Sequence, residues 1–185
     1  MQPIEDLKTE HEAVRITLRI LDSICKETEK TGAISNPEHL GQLIEFFRTF
    51  VDTCHHGKEE ELLFPALEDV GVSREGGPIG VMLKEHQQGR DLVAKMNVAL
   101  ARYSEGHREA VSDLIQHARA YIVLLNQHID KENNVLFPMA DRHLARAKQV
   151  ELGEGFETIE KEKIGAGKHE AFHRMIESLE NFYLL

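Results

Sequence analysis

Cysteine is scarce in this chain. Two thiols in 185 residues, Cys25 and Cys54, form no Cys-x-x-Cys and no cluster. That excludes a disulfide scaffold and a thiolate metal site, and it points to a reducing cytoplasm. Positive charge is short as well. A formal net charge of -10 excludes the basic surface that a nucleic-acid partner or an anionic membrane requires, and otherwise serves solubility. No apolar run approaches a membrane span, and Met1 leads into polar residues with no signal peptide in view. Strand-like alternation is nearly missing, and the five prolines fall almost entirely where segments begin or bend. What remains is an all-α chain of a length that suits one domain with a real core. One residue type is in excess. Eleven histidines are many for this length, and they point toward metal.

Apolar periodicity divides the chain into helices. Pro3 opens the first, where Leu7, His11, Val14, Leu18 and Leu21 form one stripe that fades near Lys30 to Gly32. Asn36-Pro37 reads as a cap and a first-turn proline for the second, with Leu40, Ile44, Phe47, Val51, His55, Glu59 and Leu62 in its stripe and Pro65 bending its end before Gly71. Gly76-Gly77-Pro78 starts the third, with Ile79, Met82, His86, Gly89, Val93, Met96 and Leu100. Gly89 leaves a gap in the wall one turn from His86. After Ser104-Glu105-Gly106 the fourth runs through Val111, Leu114, Ala118, Tyr121, Leu125, His128, Glu132, Val135 and Met139, with continuation expected past Pro138 toward Lys148. Gly153 and Gly155 are expected to end this part. A tail through Gly165-Ala166-Gly167 leads to a last amphipathic helix from Lys168, whose Phe172, Ile176, Leu179 and Phe182 suit packing on the rest.

Two eleven-residue stretches, His55 to Pro65 and His128 to Pro138, share His, Lys, Glu, Leu, Phe and Pro at six positions. Each sets a carboxylate four residues after an imidazole, one turn away on the same helical face. The stretches are 73 residues apart, and the Glu10-His11 and Glu85-His86 doublets 75 apart. The chain thus reads as two similar helical hairpins related by a pseudo-twofold axis. Short links favour an up-down-up-down four-helix bundle, residues 1–149, with a helical extension, 150–185, packed on it. In that topology His11 and His86 lie roughly 12 Å into their helices, at 1.5 Å per residue. His55, Glu59, His128 and Glu132 lie late in theirs, so all six groups share one layer near one pole.

Six polar groups in an apolar core demand compensation. Four imidazoles and two carboxylates suit iron, manganese or zinc. Two symmetric carboxylates can each bridge a pair of ions about 3.5–4 Å apart. The expected centre is therefore dinuclear, with two histidines per metal, Glu59 and Glu132 as bridges, and vacant positions for water, oxo, dioxygen, nitric oxide or peroxide. A lone His-x-x-x-Glu is a weak signal, since the chain has four: His55/Glu59, His56/Glu60, His128/Glu132 and His173/Glu177. His56/Glu60 is turned about 100° off the stripe and reads as solvated surface or as support around the site. His39, His107, His117 and His143 read as surface. Tyr121 reads as core packing or as a hydrogen-bond support, and Cys54 has no assigned role.

These residues resemble the hemerythrin-like proteins, also called the HHE cation-binding family, over roughly residues 3–145. Ferritin-like bundles use Glu-x-x-His pairs instead, and the core stripes here do not. The resemblance implies a four-helix bundle around two iron ions in a non-haem di-iron centre, with metal ligands His11, His55, Glu59, His86, His128 and Glu132. It also shows a departure. Oxygen-carrying members have a fifth histidine where this chain has Arg90, which implies a more open and reactive iron pair rather than reversible oxygen storage. His169 and His173 in the tail are expected either to fold back as an added ligand or to belong to a capping helix. Relatives that repair iron–sulfur centres carry an N-terminal cysteine-bearing segment, whereas this sequence starts at helix 1. The functional expectations are a cytoplasmic protein that binds or senses dioxygen, nitric oxide or peroxide, or buffers iron; an enzyme that reduces them; an iron–sulfur repair protein; or a structural zinc bundle. Sensing would need a separate partner protein, because no output domain is fused.

Overall fold

The computed structural model describes residues 2–165 and 167–185. The Met1 start of the polar N-terminus and the Ala166 of the Gly165-Ala166-Gly167 break lie outside the described residues. Among the described residues there is no strand. The first rod is α1 (Pro3–Thr31), closed by Gly32 at φ 73°, whose N–H reaches the Thr28 carbonyl at 2.8 Å. The second begins as α2 (Pro37–Phe46), continues with π-type hydrogen bonding through Phe47–His56 and Glu59–Leu63, and ends as α3 (Phe64–Asp69). The third is α4 (Pro78–Ser104). The fourth joins α5 (Ala110–Lys131), a π segment (Glu132–Leu136) and α6 (Phe137–His143). The first and third rods each pack beside the second and the fourth, giving a four-membered ring.

Proline explains where two of the π segments fall, Glu59–Leu63 and Glu132–Leu136. Pro65 and Pro138 have no N–H to give to the fourth carbonyl back. Just before each, the ladder skips one step: Phe64 N–H bonds the Glu59 carbonyl, and Phe137 N–H bonds the Glu132 carbonyl. A π turn seats one extra residue, so the inward stripe advances by one. Leu63 and Leu136 are buried, Leu62 is half-buried and Val135 is 51% exposed. Sequence periodicity had placed Leu62 and Val135 inward. Asn36 does stand at the N-cap, but its side chain makes no capping hydrogen bond.

The extension also differs from expectation. The fourth rod passes Pro138 but stops at His143, because Leu144 turns extended (φ -85°, ψ 121°). Helix α7 (Arg146–Ile159) follows, so Gly153 and Gly155 sit inside a helix rather than at its end. Gly155 is there for close approach: a Cβ on it would lie 2.7 Å from Leu62 Cδ1. A short π segment (Glu160–Ile164) and α8 (Lys168–Tyr183) complete the chain. Leu152 and Phe156 of α7, and Phe172, Ile176 and Leu179 of α8, are buried against the bundle.

The apolar core is not continuous. One cluster holds Val14, Val51, Cys54, Val93 and Leu125. The other holds Leu7, Leu63, Met82 and Leu136. The layer between them is polar, and it contains the histidines.

A candidate metal centre

All four rods deliver imidazoles to that layer. His11, His55, His86 and His128 are 1–2% exposed, and Glu59 and Glu132 are 0% exposed. The Nε2 atoms face one another in pairs, His55 to His11 at 3.0 Å and His86 to His128 at 3.1 Å. Each carboxylate reaches both pairs. Glu59 lies 3.6 Å from His55 Nε2 and 3.4 Å from His86 Nε2. Glu132 lies 3.1 Å from His11 Nε2, 3.2 Å from His128 Nε2 and 3.8 Å from His86 Nε2. The six residues named from sequence are thus brought together, in the disposition expected of two bridging carboxylates.

A second ring of residues fixes the imidazoles. Nδ1 of His55 donates to Glu10 at 2.7 Å, His86 to Glu60 at 2.7 Å, His128 to Glu85 at 3.0 Å and His11 to the Asn133 amide oxygen at 2.8 Å. With the proton held at Nδ1, each Nε2 presents a lone pair inward, as metal-bound histidines do. The two hairpins repeat the device. Lys58 bonds Glu10 at 2.5 Å, and Lys131 bonds Glu85. The glutamate preceding each single histidine therefore supports the His-x-x-Lys-Glu histidine of the adjacent rod. The repeated Glu-His doublet and the shared lysine were the sequence signals for this. Asn133 had none.

The residues present fit a cation. All four carboxylate oxygens of Glu59 and Glu132 are buried with no hydrogen-bond donor. Across the two imidazole pairs the Nε2 nitrogens lie only 3.0 and 3.1 Å apart. Buried carboxylates are costly unless paired or bound to metal. The local field points the same way. Burial opposes charge on His128, yet the Glu132 carboxylate beside it and the hydrogen bond to Glu85 push its pKa in the metal-free cage up to about 9. Burial likewise disfavours the charged form of Glu132, but the His128 charge and the imidazoles of His11 and His86 beside it hold it well below the usual range. The same attraction suits the cage to a divalent cation.

The structure also places three positions outside the six, two of which the sequence left open. His56 is not on the surface: it is 4% exposed, because the π turn at Phe47–His56 brings consecutive residues inward. Arg90, standing where the fifth histidine was sought, faces away from the cage and bonds Asp52 at 2.7 Å and Glu60 at 2.5 Å. It steadies His86 through Glu60. His169 and His173 do not join the cage. The rings are 4.6 Å apart, and His169 is 37% exposed, 3.9 Å from Glu160. The tail touches the site by another path, Glu160 to Lys58 at 3.2 Å and on to Glu10. Tyr121 packs on Phe47, ring centroids 4.8 Å apart.

Residues 2–140 match the profile described as the Hemerythrin HHE cation binding domain. An uncharacterised protein of Mycobacterium tuberculosis is 26% identical over 161 residues, covering 87% of this chain and 62% of that protein. An iron-sulfur cluster repair protein YtfE of Edwardsiella ictaluri is 31% identical over 116 residues, 62% of this chain and 52% of that protein. The YtfE of Yersinia pestis is 38% identical over 92 residues, 49% of this chain and 42% of that protein. The chain spans less than two thirds of the length of these curated relatives.

Proposed function

The chain belongs to the hemerythrin HHE cation-binding domain family, and on that premise we propose that it is a non-haem di-iron protein that binds dioxygen, nitric oxide or peroxide. His11, His55, Glu59, His86, His128 and Glu132 hold the pair. The observation that carries this reading is the set of four donor-less carboxylate oxygens amid four inward Nε2 atoms. Iron there supplies redox activity and exchangeable coordination positions. The protein's own part is to hold the imidazole protons outward, to keep both carboxylates ionised, and to keep bulk water away between two apolar clusters.

A cavity beside the cage is the route for small molecules in this reading. A cavity of about 390 Å³ is walled by Ile44, Phe47, Gly89, Val93 and Tyr121 and reaches His56. Its mouth carries Asp52 and Arg90. A second reading, reduction of peroxide, oxygen or nitric oxide, uses the same irons. Resemblance to the repair proteins supports iron chemistry in the broad sense. The buried free thiols Cys25 and Cys54, with pKa values pushed by burial to about 11 and about 12, fit a reducing cytoplasm. No helix among the described residues is long and apolar enough to cross a membrane.

Metal analysis with an ultraviolet–visible spectrum tests the main reading. Two irons per chain with oxo-to-iron charge-transfer bands are expected. One zinc and a featureless spectrum would sink it. Consumption assays with peroxide and nitric oxide then separate an enzyme from a binder.

A further inference from the structure

The two halves of the cage are not equivalent. One group of mutually close ligand atoms comprises His11, His55, Glu59 and Glu132. The other comprises His56, Glu59, His86 and His128, again with all ligand atoms within 4.8 Å of one another. The first half offers two imidazoles and the second offers three. The difference arises at one position of the repeat. Where the first stretch has His56, the second has Ile129, which is 1% exposed and lies in the apolar cluster.

His56 has no other evident employment. Its ring lies parallel to that of His86, centroids 3.7 Å apart at 13°, and edge-on to His128 at 5.7 Å and 77°. Its buried Nδ1 has no hydrogen-bond partner. The carboxylate nearest to that atom, Asp52, stands 3.5 Å off and accepts from Arg90 at 2.7 Å. A buried ring nitrogen without a partner is costly, and here the ring is set beside two inward imidazoles and a donor-less carboxylate. The π turn that seats it is the kind of helical irregularity found at functional sites.

We propose that His56 is a third imidazole ligand to the metal ion held by His86 and His128. This rests on the di-iron reading above. The fifth nitrogen, absent from the third rod at Arg90, is then supplied by the second rod. The two irons differ in nitrogen count, so they differ in affinity and electronic environment.

The test loads the full-length chain anaerobically with isotopically enriched ferrous iron. Wild type is compared with His56→Phe, which keeps a flat ring for stacking but has no donor, and with His56→Gln as a second variant in case the first does not fold. Wild type is expected to show two distinct Mössbauer doublets of equal area. In either variant one doublet should shift or vanish while the other stays. One iron should also be lost to a chelator at a concentration at least about ten-fold lower, the scale on which even supporting groups affect metal affinity. Unchanged doublets and unchanged chelator resistance in a folded variant overturn the His56 assignment alone. A wild-type chain that takes up no iron pair overturns the di-iron reading, and the His56 assignment with it.

Discussion

Glu132 touches the Nε2 atoms of three histidines from three rods, and so its removal should be the most damaging single change in the cage. Glu132→Ala is expected to lose iron. Undiminished stoichiometry by metal analysis would contradict its bridging role. Glu10 acts one layer further out. Replacing it with Gln keeps the shape but removes the anion that orients His55. Iron affinity should fall by about 10–100-fold in chelator competition, the usual effect of losing such a support. Glu10 also predicts a pH dependence. Burial raises its pKa, but the His55 hydrogen bond and the charges of His55 and Lys58 outweigh that and hold it at about 2 against an ordinary 4.5. A depressed carboxylate stabilises the fold above its unfolded pKa and loses that contribution as pH falls through the folded one. The metal-free wild type should therefore lose on the order of 3 kcal/mol relative to Glu10→Gln between neutral pH and pH ~2, at 1.36 kcal/mol per unit. Urea unfolding of both proteins across that range measures it. A constant difference would mean that the ion pair is screened.

At the scale of elements, the cavity beside α4 depends on a missing side chain. A Cβ at Gly89 would meet Leu125 and Tyr121 at 3.7 Å, an ordinary contact. Gly89→Ala should therefore be accommodated and should stabilise the helix by up to about 1 kcal/mol, since glycine is the poorer helix former. Gly89→Leu should instead project into the cavity. It is expected to slow nitric oxide or azide binding in stopped-flow measurements while leaving iron content unchanged. If the rate does not move, ligands enter by another route. The π segments are the other feature of this scale. Two of them, Glu59–Leu63 and Glu132–Leu136, follow from Pro65 and Pro138, whose positions are plain in the sequence. Their consequence, a one-residue advance of the buried face, is not, because a helical wheel assumes a constant rotation per residue. That is why Leu63 and Leu136 were passed over for Leu62 and Val135; His56 belongs to the separate irregular segment Phe47–His56, which ends at Gly57 and at no proline.

For the whole molecule, the extension adds cover and one charged link. Phe156, Phe172, Ile176 and Leu179 are each at most 7% exposed. Burying such side chains contributes roughly 1.5–3 kcal/mol apiece. Ending the chain after Leu144 should lower the melting temperature markedly. It should also preserve iron stoichiometry and spectrum, since no tail residue belongs to either ligand group. A changed spectrum would mean that the Glu160–Lys58 contact, or an approach of His169, reaches the metal. The division into a bundle at 1–149 and an extension at 150–185 remains a proposal of the sequence, and truncation tests that too. The helix on which it falls begins at Arg146.

The sequence by itself determined the four rods, their order, and the six residues of the cage. Apolar periodicity selects a buried face, and a polar group placed on that face must meet its counterparts from the other rods. It also displayed, without explaining, the Glu-His doublets and the shared lysines. Only the tertiary structure decided what those residues hold, because Glu10 and Glu85 act across to neighbouring rods and their partners lie more than forty positions away in the chain. The structure alone also decided that Arg90 faces outward, that the tail histidines stay apart, and that His56 turns in. Those outcomes depend on backbone hydrogen bonds that depart from the regular α-helical ladder, and on which of several oppositely charged neighbours lies within reach once the rods are packed.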